Sequence, residues 1–108
     1  MTYNILASAC FIAKRYADGI DWASRAIMNR PQMVGAHTQV VLGLVGIGDI
    51  GKAKAMFETL QKVASSDYLK SRLDGTWGLG RSEDRRRATT FLRIAASLED
   101  PSAAEALR

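Results

Sequence analysis

The sequence predicts an all-α fold of stacked helical hairpins, and three observations predict it. The first is an internal period of 34 residues. Tyr16, Gly19, Ala23 and Ala26 map onto Ile50, Ala53, Phe57 and Leu60, and upstream Tyr3, Leu6, Ala7 and Cys10 map onto His37, Val40, Val41 and Leu44, without insertion. The second is the spacing within each set, mostly three or four residues, which collects small and apolar side chains on one helix face. The third is the scarcity of strand signals. Only the run from Val40 to Ile47 could be a buried strand, and the repeat register assigns it to a helix weakened by Gly43 and Gly46.

Each element follows from its residues. The first helix carries Tyr3, Leu6, Ala7 and Cys10. In the second, Gly19, Ala23 and Ala26 let the neighbouring backbone approach, Ile20, Trp22 and Ile27 supply bulk, Asp18 accepts from first-turn amides, and Pro31 ends the helix. The third helix holds the His37 series. The fourth starts after a Gly48-Asp49 turn with Asp49 as cap, buries Ile50, Ala53, Phe57 and Leu60 beside Met56, and stops softly at Ser65-Ser66. Residues 67–74 begin a further first helix through Tyr68, Leu69 and Leu73, which Gly75, Gly78 and Gly80 cut short. The last helix runs from an N-cap at Ser82 to Leu98, with Glu83 and Asp84 at its positive end and Ala88, Phe91, Leu92, Ala95 and Leu98 as the buried stripe. The expected organisation is two repeats (1–33 and 34–65), then an incomplete helix, a glycine-rich loop and a capping helix (66–98), then a flexible tail (99–108).

The register of Tyr16, Gly19, Ala23 and Ala26, closed by Pro31 and repeated at Ile50, Ala53, Phe57 and Leu60, resembles the tetratricopeptide repeat (TPR) family over residues 1 to about 65. Two positions depart from the family: Gly19 stands where alanine is usual, and Ala23 where an aromatic is usual, with Trp22 next door to fill the volume. The second unit lacks the closing proline. The resemblance implies a right-handed α-solenoid that binds a protein or peptide partner in a concave groove lined by first helices. Carried onto this chain, the groove comprises Asn4, Ser8, Phe11, Thr38, Gln39, Leu42 and Val45, with Arg72 from the incomplete helix. The lysine and asparagine clamp by which some TPR domains hold the acidic C-terminus of chaperones is absent, because Asn4 and Ser8 occupy its places. The tail, with Asp84-Arg85 opening its helix, resembles the C-terminal end of TPR arrays in bacterial adenylate cyclases and winged-helix regulators, which implies a regulatory or scaffolding segment as the alternative.

Composition narrows the function. A chain of 108 residues, 47% hydrophobic, fits one small domain. No apolar run reaches the roughly 20 residues that cross a bilayer, and Lys14 and Arg15 follow the N-terminal apolar stretch where a signal peptide would have them precede it. The lone Cys10 forms no internal disulfide, so a cytoplasmic location is expected. The net charge of +4 gathers at Arg81, Arg85, Arg86, Arg87 and Arg93, but without interleaved aromatics and beside Glu83, Asp84 and Glu99 it reads as a solvated helix face, with no nucleic acid partner. Cys10 and His37 read as packing residues and are too few for a zinc site, and the glycines of 43–48 lack the strand and lysine of a phosphate loop. No enzymatic role, metal or cofactor is expected. The N-terminal face of Tyr3, Ile5, Leu6, Cys10 and Phe11 has no preceding helix to cover it, which predicts a homodimer through the N-terminal hairpin.

Overall fold

The computed structural model describes residues 2–77 and 80–108, Thr2 by its backbone alone; Gly78 and Leu79 of the glycine-rich loop lie outside the described residues. Among the described residues six α-helices follow one another: α1 (Thr2–Ile12), α2 (Tyr16–Asn29), α3 (Val34–Ile47), α4 (Ile50–Val63), α5 (Ser66–Leu73) and α6 (Ser82–Ala95), then a 3-10 turn at Pro101–Ala104. The described residues contain no strand.

The hairpins form where the punctuation lies. Arg30 closes α2 ahead of Pro31, its amide bonding Ala26 O. Gly48 ends α3 in the left-handed conformation (φ 88°), its amide reaching the carbonyls of Leu44 and Val45, and the Asp49 carboxylate accepts from the Lys52 amide to open α4. Asp18 does not cap α2. It pairs instead with Arg15 at 2.6 Å on the surface.

Packing runs in sequence, α1 on α2, α2 on α3 and α3 on α4. The small-residue face of α2 is buried as its spacing requires, with Tyr16, Gly19, Ala23 and Ala26 all inside, and α4 buries the equivalent Ala53, Phe57 and Leu60. Trp22 is half-buried and stacks on Tyr3 with ring centroids 5.7 Å apart. Helix α3 is the centre. It buries residues 36–38 and 40–46, because α2, α4 and α6 all pack on it and α1 touches it. Its glycines are packing positions: a Cβ on Gly46 would lie 2.3 Å from Tyr16 Cγ, and one on Gly43 would lie 2.5 Å from Ile20 Cγ1. The residues that lower the helix propensity of α3 are those that let α2 lie against it.

Beyond residue 65 the structure corrects several expectations. Helix α6 begins one residue earlier than expected: Arg81, not Ser82, is the N-cap, Ser82 is the first helical residue, and no side chain caps the end. The helix also stops at Ala95, where Ser97 turns to φ 62°, so Leu98 leaves the stripe and is exposed. The remaining stripe of Ala88, Phe91, Leu92 and Ala95 is buried and gains Ile94, Asp84 and Arg87. Helix α6 does more than shield the preceding hairpin; it lies on α3 and α4, and Phe91 meets Phe11 edge-on at 5.9 Å. The segment 99–108, expected to be loose, is folded. Asp100 caps the 3-10 turn through Ser102 N, Ala104 is fully buried, and Arg108 Nε donates to Val45 O. With α6 drawn across α3, the principal extents are 33 × 28 × 27 Å, nearly equal in three directions.

Candidate functional site

Five of the eight residues assigned to the groove meet in one shallow cleft. Asn4 and Ser8 reach it from α1, Thr38 and Gln39 from α3 and Arg72 from α5, with Gly35, Tyr68 and Trp77 completing a space of about 190 Å³. Helical spacing explains the gathering: Asn4 and Ser8 are four residues apart, so they share one face. Gly35 leaves room for Asn4, whose Nδ2 would lie 2.9 Å from a Cβ at that position.

The cleft walls are tied by polar contacts. Gln39 Nε2 donates to Ser8 Oγ at 3.2 Å, linking α3 to α1. The hydroxyls of Thr38 and Tyr68 lie 2.9 Å apart, linking α3 to α5, and Thr38 Oγ1 also donates to Val34 O. Arg72 places its guanidinium carbon 4.5 Å from the Tyr68 ring centroid and 5.4 Å from that of Trp77, and its Nη1 donates to Thr76 O. Trp77 is itself held by Nε1 donating to Thr89 Oγ1 on α6. Asn4 Oδ1 is buried without a hydrogen-bond partner. Among the described residues that line the cleft, Arg72 alone is charged.

The other three assigned residues are not accessible. Phe11, Leu42 and Val45 are 3%, 1% and 0% exposed, in the core cluster that α6 completes with Phe91, Leu92 and Ile94. The groove surface expected at these positions is covered by the chain's own last helix. Cys10 and His37 do not form a reactive pair. Cys10 Cβ packs over Gly19, and buried His37 directs Nε2 to Pro31 O at 2.8 Å, leaving Nδ1 unpartnered. No group of three or more residues that could ligate a metal occurs among the described residues, and none of their helices is long and apolar enough to cross a membrane.

The arginine run is divided, which corrects its reading as a uniform solvated face. Arg86 is exposed, Arg85 donates to Gly80 O, and Arg87 is buried at 4% exposure. Arg87 Nη2 donates to Phe11 O at 2.7 Å and contacts Asp84 Oδ1 at 3.3 Å, while its guanidinium carbon lies 4.4 Å from the Phe11 ring centroid. A cation at the C-terminus of α1 adds to the bond that Phe11 O already accepts from the Lys14 amide, reaches Ile12 O at 3.4 Å, and complements the helix dipole. Burial raises the Tyr16 hydroxyl above its ordinary pKa, partly offset by the nearby charges of Arg87 and Arg108; the hydroxyl oxygen accepts no well-formed hydrogen bond.

Tyr68 and Trp77 were not foreseen as cleft residues, and neither was the buried pair of Asp84 and Arg87. A signal for the latter existed. Adding 34 to Ile50, Ala53, Phe57 and Leu60 gives Asp84, Arg87, Phe91 and Ile94, all buried, so the period continues into α6 with two charges at core positions. Comparison with protein-family models, curated proteins and solved structures gives no match.

Proposed function

We propose that this chain is a protein-interaction module of the tetratricopeptide type, which receives a peptide or helix in the cleft between α1, α3 and α5. One observation carries the reading: Asn4, Ser8, Thr38, Gln39 and Arg72, drawn from three helices and chosen for their repeat positions, line a single cleft. Its mixture of amides, hydroxyls and aromatic rings suits an extended main chain, whose own donors and acceptors need partners. Peptide display against the immobilised protein tests this. The reading expects enriched sequences whose binding is lost in a folded Ser8→Trp variant that fills the cleft; enrichment unaffected by that variant would contradict it.

A second interaction is favoured by α1. The helix carries no charged residue, and Ile5 and Ile12 are 63% and 41% exposed. A twofold pairing through this face removes apolar surface from water. Phe11, first assigned to that face, is buried against Phe91 and takes no part.

A further inference from the structure

A second concavity lies on the other side of α3, where α2 and α4 wall a valley of about 220 Å³. Its floor is Val40 and Leu44, which the helical step of about 100° turns away from Gly35, Thr38 and Gln39 of the cleft. Ile20 and Ile27 line one wall and Met56 the other, all three half-buried and within reach of a ligand. Packing sets the α2 wall: Ile20 leans over Gly43, where an added Cβ would lie 2.5 Å from its Cγ1. Helical spacing puts one polar group on each wall. Ser24 shares a face with Ile20 and Ile27, Lys52 stands one turn from Met56, and both are exposed. Among the described residues no acidic side chain and no aromatic ring lines the valley, and the ion pairs belong to Arg15, Arg81, Arg87 and Arg93, which leaves the Lys52 ammonium unpaired.

An apolar valley with one free cation at its rim has the chemistry of an amphiphile's site. Its walls gain by covering hydrocarbon. An ammonium without a carboxylate calls for an anion, and a serine hydroxyl can donate to the same head. Size selects a single chain over a helix, because one helical turn about 10 Å across and about 5.4 Å long fills roughly 400 Å³, more than the valley holds. The absence of a ring in the lining disfavours a planar aromatic ligand, which would stack. We infer that this valley binds a single-chain aliphatic acid in its ionised form, its carboxylate held by Lys52 and Ser24 and its hydrocarbon lying between Ile20, Ile27 and Met56. Met56, unbranched and adaptable, suits a flexible chain. The valley shares no lining residue with the cleft and its occupancy does not depend on a peptide there.

The test follows amide shifts of the intact isotope-labelled chain during titration with hexanoate, heptanoate and octanoate below their micelle-forming concentrations, with octanamide and octylammonium as head-group controls. Affinity should rise about fourfold for each added methylene. Octanoate should bind at least about threefold tighter than octanamide, octylammonium should bind more weakly than either, and the shifts should centre on Ile20, Ser24, Ile27, Lys52 and Met56. Lys52→Gln should erase the advantage of octanoate over octanamide and keep the dependence on chain length, while Lys52→Glu should pass the preference to octylammonium. Ser24→Trp, which fills the valley from its exposed rim, should abolish binding with an unchanged circular dichroism spectrum. Equal affinity for octanoate and octanamide, or an octanoate advantage that survives in Lys52→Gln, would overturn the proposal. So would affinity independent of chain length, shifts centred elsewhere, or no binding at all. Shifts of these same residues that grow with protein concentration before any ligand is added would reveal a second copy seated in the valley, which also overturns it.

Discussion

Replacing Gly46 by alanine separates helix propensity from packing, because the two predict opposite signs. Propensity alone favours alanine in a helix interior by about 0.8–1.0 kcal/mol. In the structure, the added Cβ would lie 2.3, 2.5 and 2.6 Å from three carbons of the Tyr16 ring, where carbon atoms sit comfortably at about 3.5–4.0 Å. The ring has little room to give, with Phe11 at 6.0 Å and Phe91 at 5.9 Å in the same buried cluster. Overpacking of this kind costs about 1–3 kcal/mol, more where neighbours are fixed. Net of propensity, Gly46→Ala should lose up to about 2 kcal/mol, and at about 4–8 °C per kcal/mol for a domain of this size its melting temperature should fall by up to roughly 16 °C. Gly51→Ala is the internal control. A Cβ there meets nothing within 4 Å on the exposed start of α4, so the variant should be neutral or gain up to about 1 kcal/mol. Urea and thermal unfolding followed by circular dichroism at 222 nm measure both. A stabilised Gly46→Ala protein would refute the close packing of α2 on α3.

Arg87→Ala leaves the buried Asp84 carboxylate with only the distant Arg81 at 3.9 Å and should cost about 3–5 kcal/mol, whereas Arg86→Gln, on the exposed face, should stay within about 0.5 kcal/mol; equal effects in urea titrations would contradict the division of the arginine run. Because burial raises the Tyr16 pKa above 10.0, the unfolded chain ionises first. Its contribution is therefore complete below pH 10 and declines as pH climbs through the folded pKa. The urea midpoint should fall less steeply with alkalinity in Tyr16→Phe than in the natural chain, and parallel profiles would count against it. Phe57→Ala should cost about 3–5 kcal/mol, measured by the same unfolding; an unchanged melting temperature would show that the second repeat is misregistered. Light scattering should return about twice the chain mass, reduced to one mass by Ile5→Glu with Ile12→Glu, and a clean monomer at high micromolar concentration would remove α1 pairing from the account.

What was legible in the sequence, and what was not, divides along local and long-range causes. The hairpins of residues 2–63 could be read because small residues at fixed spacing, Pro31, Gly48 and Asp49 act within a turn or two of where they stand. Cleft residues on α1 and α3 could be read for the same reason: a face is set by periodicity. The placement of α6 could not. Its apolar stripe says that one face is buried without saying on what, and Phe91 packs on Phe11 some eighty positions away. That placement is why Phe11, Leu42 and Val45 are core residues where a groove was expected. Arg87 was misjudged because a run of three arginines suggests one solvated surface, although neighbours on a helix point about 100° apart. The register of 34 would have set Arg87 apart from Arg86. Tyr68 and Trp77 were missed because a guanidinium flanked by rings from a short helix and a loop has no fixed sequence spacing.

The measurement that tests the central claim most directly is amide chemical-shift mapping of the isotope-labelled chain as a peptide enriched by display is added. The account predicts that the perturbed residues cluster at Asn4, Ser8, Thr38, Gln39, Tyr68 and Arg72, together with the Trp77 indole N–H. Perturbations confined to the opposite side, around Ile20, Ser24, Ile27 and Met56 between α2 and α4, would contradict it.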